Sequence, residues 1–195
     1  MRSSESVHGR VKTLVVLTFV MVALIGSATP SRAEIVYKSM YVQITNKGAY
    51  NYDFNGDGVT DLNLALNLRQ TSCGYVITAV ETPAQGDGAE GRPVDPLQAG
   101  DQIGPSQQFF GGPQTMASLS WNYCSHKVVY GGPWPQSAVR YLGVSFLIEG
   151  ETHYAWVRVE FDVILTFGPP KLVAKLTGYA YETVPGMPIN AGQTK

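Results

Sequence analysis

"LGVSFLIEGETHYAWVRVEFDV", residues 142–163, alternates apolar and polar positions twice, with a break at Glu149-Gly150-Glu151. Before the break, Leu142, Val144, Phe146 and Ile148 fall on one side of an extended chain. After it, Ala155, Val157, Val159, Phe161 and Val163 fall on one side, and Tyr154, Trp156, Arg158, Glu160 and Asp162 on the other. A period of two is the signature of a strand. The short Gly-containing break predicts a hairpin between two such strands. One apolar face per strand predicts sheets buried on one side, hence antiparallel sheets packed face to face and not βαβ units.

The same pattern extends outward along the chain. Segments 41–45, 61–69, 75–81, 127–130 and 172–183 are rich in Val, Ile, Leu, Tyr and Phe and are bounded by Gly, Pro and Asn. Leu62, Leu64, Leu66 and Leu68 share one face against Asp61, Asn63, Asn67 and Arg69. No stretch after residue 33 holds a 3.6-residue apolar stripe. The predicted fold class is all-β: a single antiparallel β-sandwich, jelly-roll or lectin-like, over residues 34–195. Leu62, Leu64, Leu66, Val144, Phe146, Val157, Val159 and Phe161 are expected in one core. Residues 83–138 interrupt the pattern, being rich in Gly, Pro and Gln, and predict a long loop insertion with at most a turn or two of helix. Phe109, Phe110, Trp121 and Trp134, within that segment, predict that it packs on the sandwich.

The first 33 residues read differently. Arg2, Arg10 and Lys12 precede an apolar run from Leu14 to Ile25, which is followed by small residues up to Ala33. The run is shorter than the ~20 residues of a membrane span, and its flanks match a secretory signal peptide cleaved after Ala33 or Ala28. Cleavage after Ala33 takes four basic residues and one acidic residue from a chain of formal charge −1, leaving the remaining 162 residues near −4. An acidic chain with no basic tract disfavours a nucleic-acid partner. The expectation is a protein secreted to the periplasm or beyond, with no stable membrane insertion after cleavage. In that compartment Cys73 and Cys124 predict a disulfide. Its 51-residue separation is worth roughly 4 kcal/mol in the chain-entropy model.

"YDFNGDGVTDLNL", residues 52–64, carries the candidate metal site. Asp53, Asn55, Asp57 and Asp61 occupy positions 1, 3, 5 and 9 of a D-x-N-x-D-G-x-x-D loop. Calcium takes six to eight hard oxygens at about 2.3–2.6 Å, and alternate acidic side chains on a turning backbone can supply them. The Val59 carbonyl is a further expected ligand. Position 12 is Leu64, where an EF-hand needs a bidentate Glu, and strand follows instead of helix. The expectation is a structural calcium ion held between strands by Asp53, Asn55, Asp57, Val59 and Asp61. The competing expectation is an Asp/Asn/Gly-rich turn that binds nothing.

Three stretches taken together, "YDFNGDGVTDLNL", "RYLGVSFLIEGETHYAWVRVEF" and "LTGYAYETVPGMPINAG", resemble a group of secreted bacterial proteins of unknown function. Many members of that group end in a PEP-CTERM sorting tail. The resemblance covers roughly residues 35–69 and 139–192 and implies export, but no reaction. Ala155 stands where many members have Gly, and no Pro-Glu-Pro box appears near "AGQTK", so a sorting anchor is not expected.

Catalytic patterns are weak. Glu160 and Asp162, two apart on one strand face and so roughly 7 Å apart, read as a carboxylate pair of the kind a glycoside hydrolase needs, but on the face that reads as solvent-exposed. Cys124 and His126 have no orienting acid in the sequence, and His153 reads as a packed histidine. A secreted carbohydrate-active hydrolase using surface carboxylates is the alternative; a structural or recognition role is preferred. For recognition, Tyr154, Trp156 and Arg158 share one face, and Tyr179 and Tyr181 share another. If those strands pair, an aromatic shelf is expected for a glycan or a cell-surface protein.

Overall fold

A computed structural model describes residues 33–84, 86–91, 94–165 and 167–195. The expected signal peptide lies outside the described residues, Ala33 excepted. The described residues are all-β with no helix. Thirteen strands run in order: β1 Ile35–Ile44, β2 Ala49–Tyr52, β3 Leu62–Thr71, β4 Gly74–Pro83, β5 Gly88–Glu90, β6 Gln102–Ile103 and β7 Phe109–Phe110. They continue with β8 Gln114–Asn122, β9 Lys127–Gly131, β10 Val139–Ile148, β11 Glu151–Ile164, β12 Lys171–Glu182 and β13 Ile189–Asn190. Two sheets pack as a β-sandwich. One has the order β1-β12-β11-β10-β5-β7, the other β2-β3-β4-β8-β9, and every pair within them is antiparallel.

The alternation that predicts the fold also sets its register. In the β10–β11 hairpin, Val144 pairs with Ala155 and Phe146 with His153, closing at Glu149-Gly150. Partners on adjacent strands project to the same side, so the apolar sets of both strands enter the space between the sheets. All eight expected core residues lie there, buried with Ile77, Leu119, Leu142, Leu172 and Leu176.

The segment 83–138 departs from expectation. It holds β5 to β9, and β8 is an inner strand of the second sheet, between β4 and β9. Its sequence, "QTMASLSWN", hides the alternation. A bulge opposite Ala79 and Val80 turns the consecutive Met116 and Ala117 both inward, before Leu119 and Trp121 resume the period. One extra residue breaks a period-two pattern without breaking the strand. Only the stretches around these strands are loop, and Trp134 from one of them is fully buried in the main core.

A second apolar cluster forms on the outer face of the six-stranded sheet. Tyr141, Tyr154 and Trp156 are covered there by Leu97, Ile103, Ile189 and Ala191, with the two-stranded β6–β13 ribbon across them. The ribbon adds a partial third layer, which sets the fate of the predicted aromatic shelf.

Candidate functional site

Residues 53–61 form the connection of the β2–β3 hairpin. The loop closes on itself through its first aspartate. Asp53 Oδ1 accepts Gly56 N at 2.7 Å and Asp57 N at 3.1 Å, and Oδ2 accepts Gly58 N at 2.9 Å. Such wrapping needs the left-handed backbone at Gly56 (φ 80°) and Gly58 (φ 88°), which glycine adopts without a Cβ clash. Asp57 is exposed. Its Oδ1 accepts Val59 N at 2.7 Å and its Oδ2 accepts Asn55 Nδ2 at 2.9 Å. The Asn55 amide, then the Val59 amide, hold its carboxyl below the usual range.

The two ends of the loop are fastened to the core. Asp61 N donates to Tyr52 O at 2.7 Å, and Asp61 Oδ2 accepts Phe54 N at 2.6 Å. Phe54 is fully buried between the sheets. Its ring centre lies 5.0 Å from that of Phe146, 5.4 Å from Tyr179 and 5.6 Å from Tyr52. Phe54 does not stand out in the sequence because it is one apolar residue inside an acidic run. The signal was its even spacing with Tyr50 and Tyr52, which places it on the core face of the β2 continuation.

The five expected calcium ligands thus lie in one loop, but with distinct roles. Asp53, Asn55 and Asp57 are tied together by hydrogen bonds at the loop's outer part. Val59 is exposed, and Asp61 is turned inward and buried. Burial pushes the Asp61 carboxyl up to about 6, against the Phe54 amide that lowers it, with Asp87, Asp57 and Asp53 adding to the rise. Among the described residues, no three His, Cys, Asp or Glu side chains converge as a ready-made metal cluster. The donor set is nevertheless all oxygen, as a hard cation requires, and it includes an amide and a carbonyl beside the carboxylates.

Beside the loop lies a cleft of about 320 Å³, lined by Asn55, Glu149, Glu151, His153, Tyr181 and neighbours. His153 is buried and packs on Phe146, and its Nδ1 lies 2.9 Å from Glu182 O. A carbonyl only accepts, so Nδ1 carries the proton and Nε2 is left as an acceptor in the neutral ring.

The predicted shelf is not assembled. Tyr179 and Tyr181 pair with Val157 and Ala155, so they face the main core, opposite to Trp156. Tyr154 and Trp156 face outward from the sandwich but lie under the β6–β13 layer. Trp156 is fully buried, with its indole N–H donating to Gln193 O at 3.0 Å. Arg158 donates to Thr177 Oγ1 at 2.7 Å and to Thr177 O at 2.8 Å. Alternation tells which residues share a face; it does not tell whether another layer covers it.

Glu160 and Asp162 do share a half-buried face, and Lys175 on β12 bridges them, 3.2 Å from Glu160 and closer still to Asp162. Ser137 Oγ also donates to Asp162, at 2.6 Å. The Lys175 and Ser137 hydrogen bonds hold the Asp162 carboxyl low. A general acid at neutral pH needs the opposite shift. His126 is exposed in the β8–β9 turn. Cys73 and Cys124 form the expected disulfide, with Cα atoms 5.6 Å apart, fastening the β3–β4 turn to the β8–β9 turn.

No protein-family model, curated protein or solved structure matches this chain.

Proposed function

We propose that this chain is a calcium-stabilised β-sandwich that acts outside the cytoplasm in a structural or recognition role. The observation that carries the proposal is the oxygen-rich loop wound around Asp53 and rooted in the core by Phe54. Asp53, Asn55, Asp57, Asp61 and the Val59 carbonyl hold the ion, which neutralises three neighbouring carboxylates and fixes the start of β3. The Cys73–Cys124 disulfide supports an oxidising compartment, in keeping with the expected signal peptide and the resemblance to secreted bacterial proteins. For recognition, the cleft beside the loop takes the place of the dismantled shelf. Its Glu149 and Glu151 carboxylates, His153 ring and Tyr181 ring suit a glycan or a side chain of a surface protein. The hydrolase alternative is weakened by Lys175, which occupies both candidate carboxylates.

Titration calorimetry on metal-stripped protein tests the ion directly. Calcium should bind at one site per chain, magnesium more weakly because it demands a tighter octahedron, and Asp53→Ala should abolish the calcium heat. No saturable heat with millimolar calcium contradicts the proposal.

A further inference from the structure

The β11–β12 connection carries the two most exposed large apolar side chains among the described residues, Leu165 at 72% and Phe167 fully exposed. Single exposed apolar residues are ordinary, but two on one projecting loop mark a contact site. The base of the loop is anchored. Pro169 and Pro170 fix two backbone φ angles. Pro170 is buried, and its carbonyl accepts the Tyr75 hydroxyl from the opposite sheet. Tyr75 lies two residues after Cys73, whose disulfide joins the β3–β4 and β8–β9 turns. A loop held this way has little conformational freedom left to lose on docking.

Register brings the other turns to the same end of the sandwich. Ile164 pairs with Lys171 at the loop itself, Ala174 with Ile44 before the β1–β2 turn, and Gly74 with Asn122 before the β8–β9 turn. The exposed charges there have one sign: Lys47, Arg69, Lys127 and Lys171. Glu160 and Asp162, the acids on the strand that leads into the loop, are both bridged by Lys175. The acidic loop at 53–61 and the Glu149–Glu151 hairpin turn lie at the opposite end. β11 runs 14 residues from Glu151 to Ile164, so the two ends are roughly 40 Å apart. That is several Debye lengths at physiological salt. A surface approached tip first therefore meets the cations and not the acidic end.

We propose that this end docks peripherally on an anionic lipid surface, with Leu165 and Phe167 entering the interface and Lys47, Arg69, Lys127 and Lys171 facing the headgroups. The sign of the charge selects the occupant. Cations around an apolar tip complement anionic headgroups lying above an acyl layer, and each basic side chain near that surface adds affinity. The same end of a second copy carries the same sign and is repelled. A bilayer also takes a projecting ring without a matching cavity. The depth reached is that of the headgroup–acyl boundary, about 5–10 Å, with no span.

Co-flotation with vesicles tests this on residues 34–195, which hold every strand and leave out the apolar run at 14–25. Chelator in the buffer keeps calcium from bridging the acidic loop to phospholipid, so the outcome is independent of the calcium site. Vesicles of equal phosphatidylglycerol and phosphatidylcholine should carry the protein, and phosphatidylcholine alone at least about tenfold less. Phe167→Ser should weaken binding about tenfold or more. The double variant Lys127→Gln, Lys171→Gln should do so by a similar factor. Salt at ~1 M, where the Debye length is about 3 Å, should release most of the bound protein. All three side chains are exposed, so melts of both variants should match the wild type. A wild type left unbound by the anionic vesicles, equal binding to the neutral ones, or either variant binding as well as the wild type overturns the proposal.

Discussion

Glu81 is a fully buried carboxyl on the core face of β4, in register with Leu64 on one side and Gln114 on the other. Neither carboxylate oxygen has a hydrogen-bond partner, and Gln114 Nε2, though close, has none either. Burial pushes Glu81 up to about 8, with the Gln114 amide a smaller opposing influence. Glu90 is pushed to about 7 by burial first, then by Asp95 and Asp101. A carboxyl raised in the folded state contributes stability that is complete below its unfolded value near 4.5. That contribution is lost as pH rises through the folded value. The melting temperature should therefore fall between about pH 5 and pH 8. Glu81→Gln, which cannot ionise, should remove the upper part of that fall and be more stable than the wild type at pH 8, with little difference at pH 5. Urea unfolding of wild type and variant at pH 5 and pH 8 measures it. Equal destabilisation of the variant at both values would contradict the account.

At the scale of elements, β11 shows how far alternation reaches. Its inward set, from Ala155 to Phe161, is legible in the sequence because each second residue is apolar, and the structure buries them all. Its outward set was legible as a face but not as a covered one. The cover comes from β6 and β13, two-residue strands distant in sequence, too short to show any period. β8 is illegible for a different reason: one bulge puts Met116 and Ala117 side by side on the core face and erases the period of two. The loop at 53–61 was legible by spacing alone, whereas Phe54's role needed the partner sheet. The covering layer makes a prediction. Trp156→Ala should destabilise the protein by about 3–5 kcal/mol, as for other fully buried large aromatic side chains, and not leave the fold intact as an exposed binding residue would. A variant within 1 kcal/mol of wild type, measured by chemical unfolding, would show that the ribbon does not seal that face.

On the scale of the whole molecule, the acidic loop and the core are one construction. Phe54 joins the loop to the aromatic cluster of Tyr52, Phe146 and Tyr179, which spans both sheets. An ion bound at the loop would therefore act on the packing of the sandwich and not on a detached turn. The most direct measurement is a thermal melt of the protein in chelator against millimolar calcium, repeated on Asp57→Ala. A ligand that binds only the folded state adds about 2.7 kcal/mol at a hundredfold excess over Kd. At this chain length that raises the melting temperature by roughly 5–10 °C. That rise is expected for the wild type and none for Asp57→Ala. A wild-type melting temperature unmoved by calcium would make residues 53–61 a hairpin turn and nothing more.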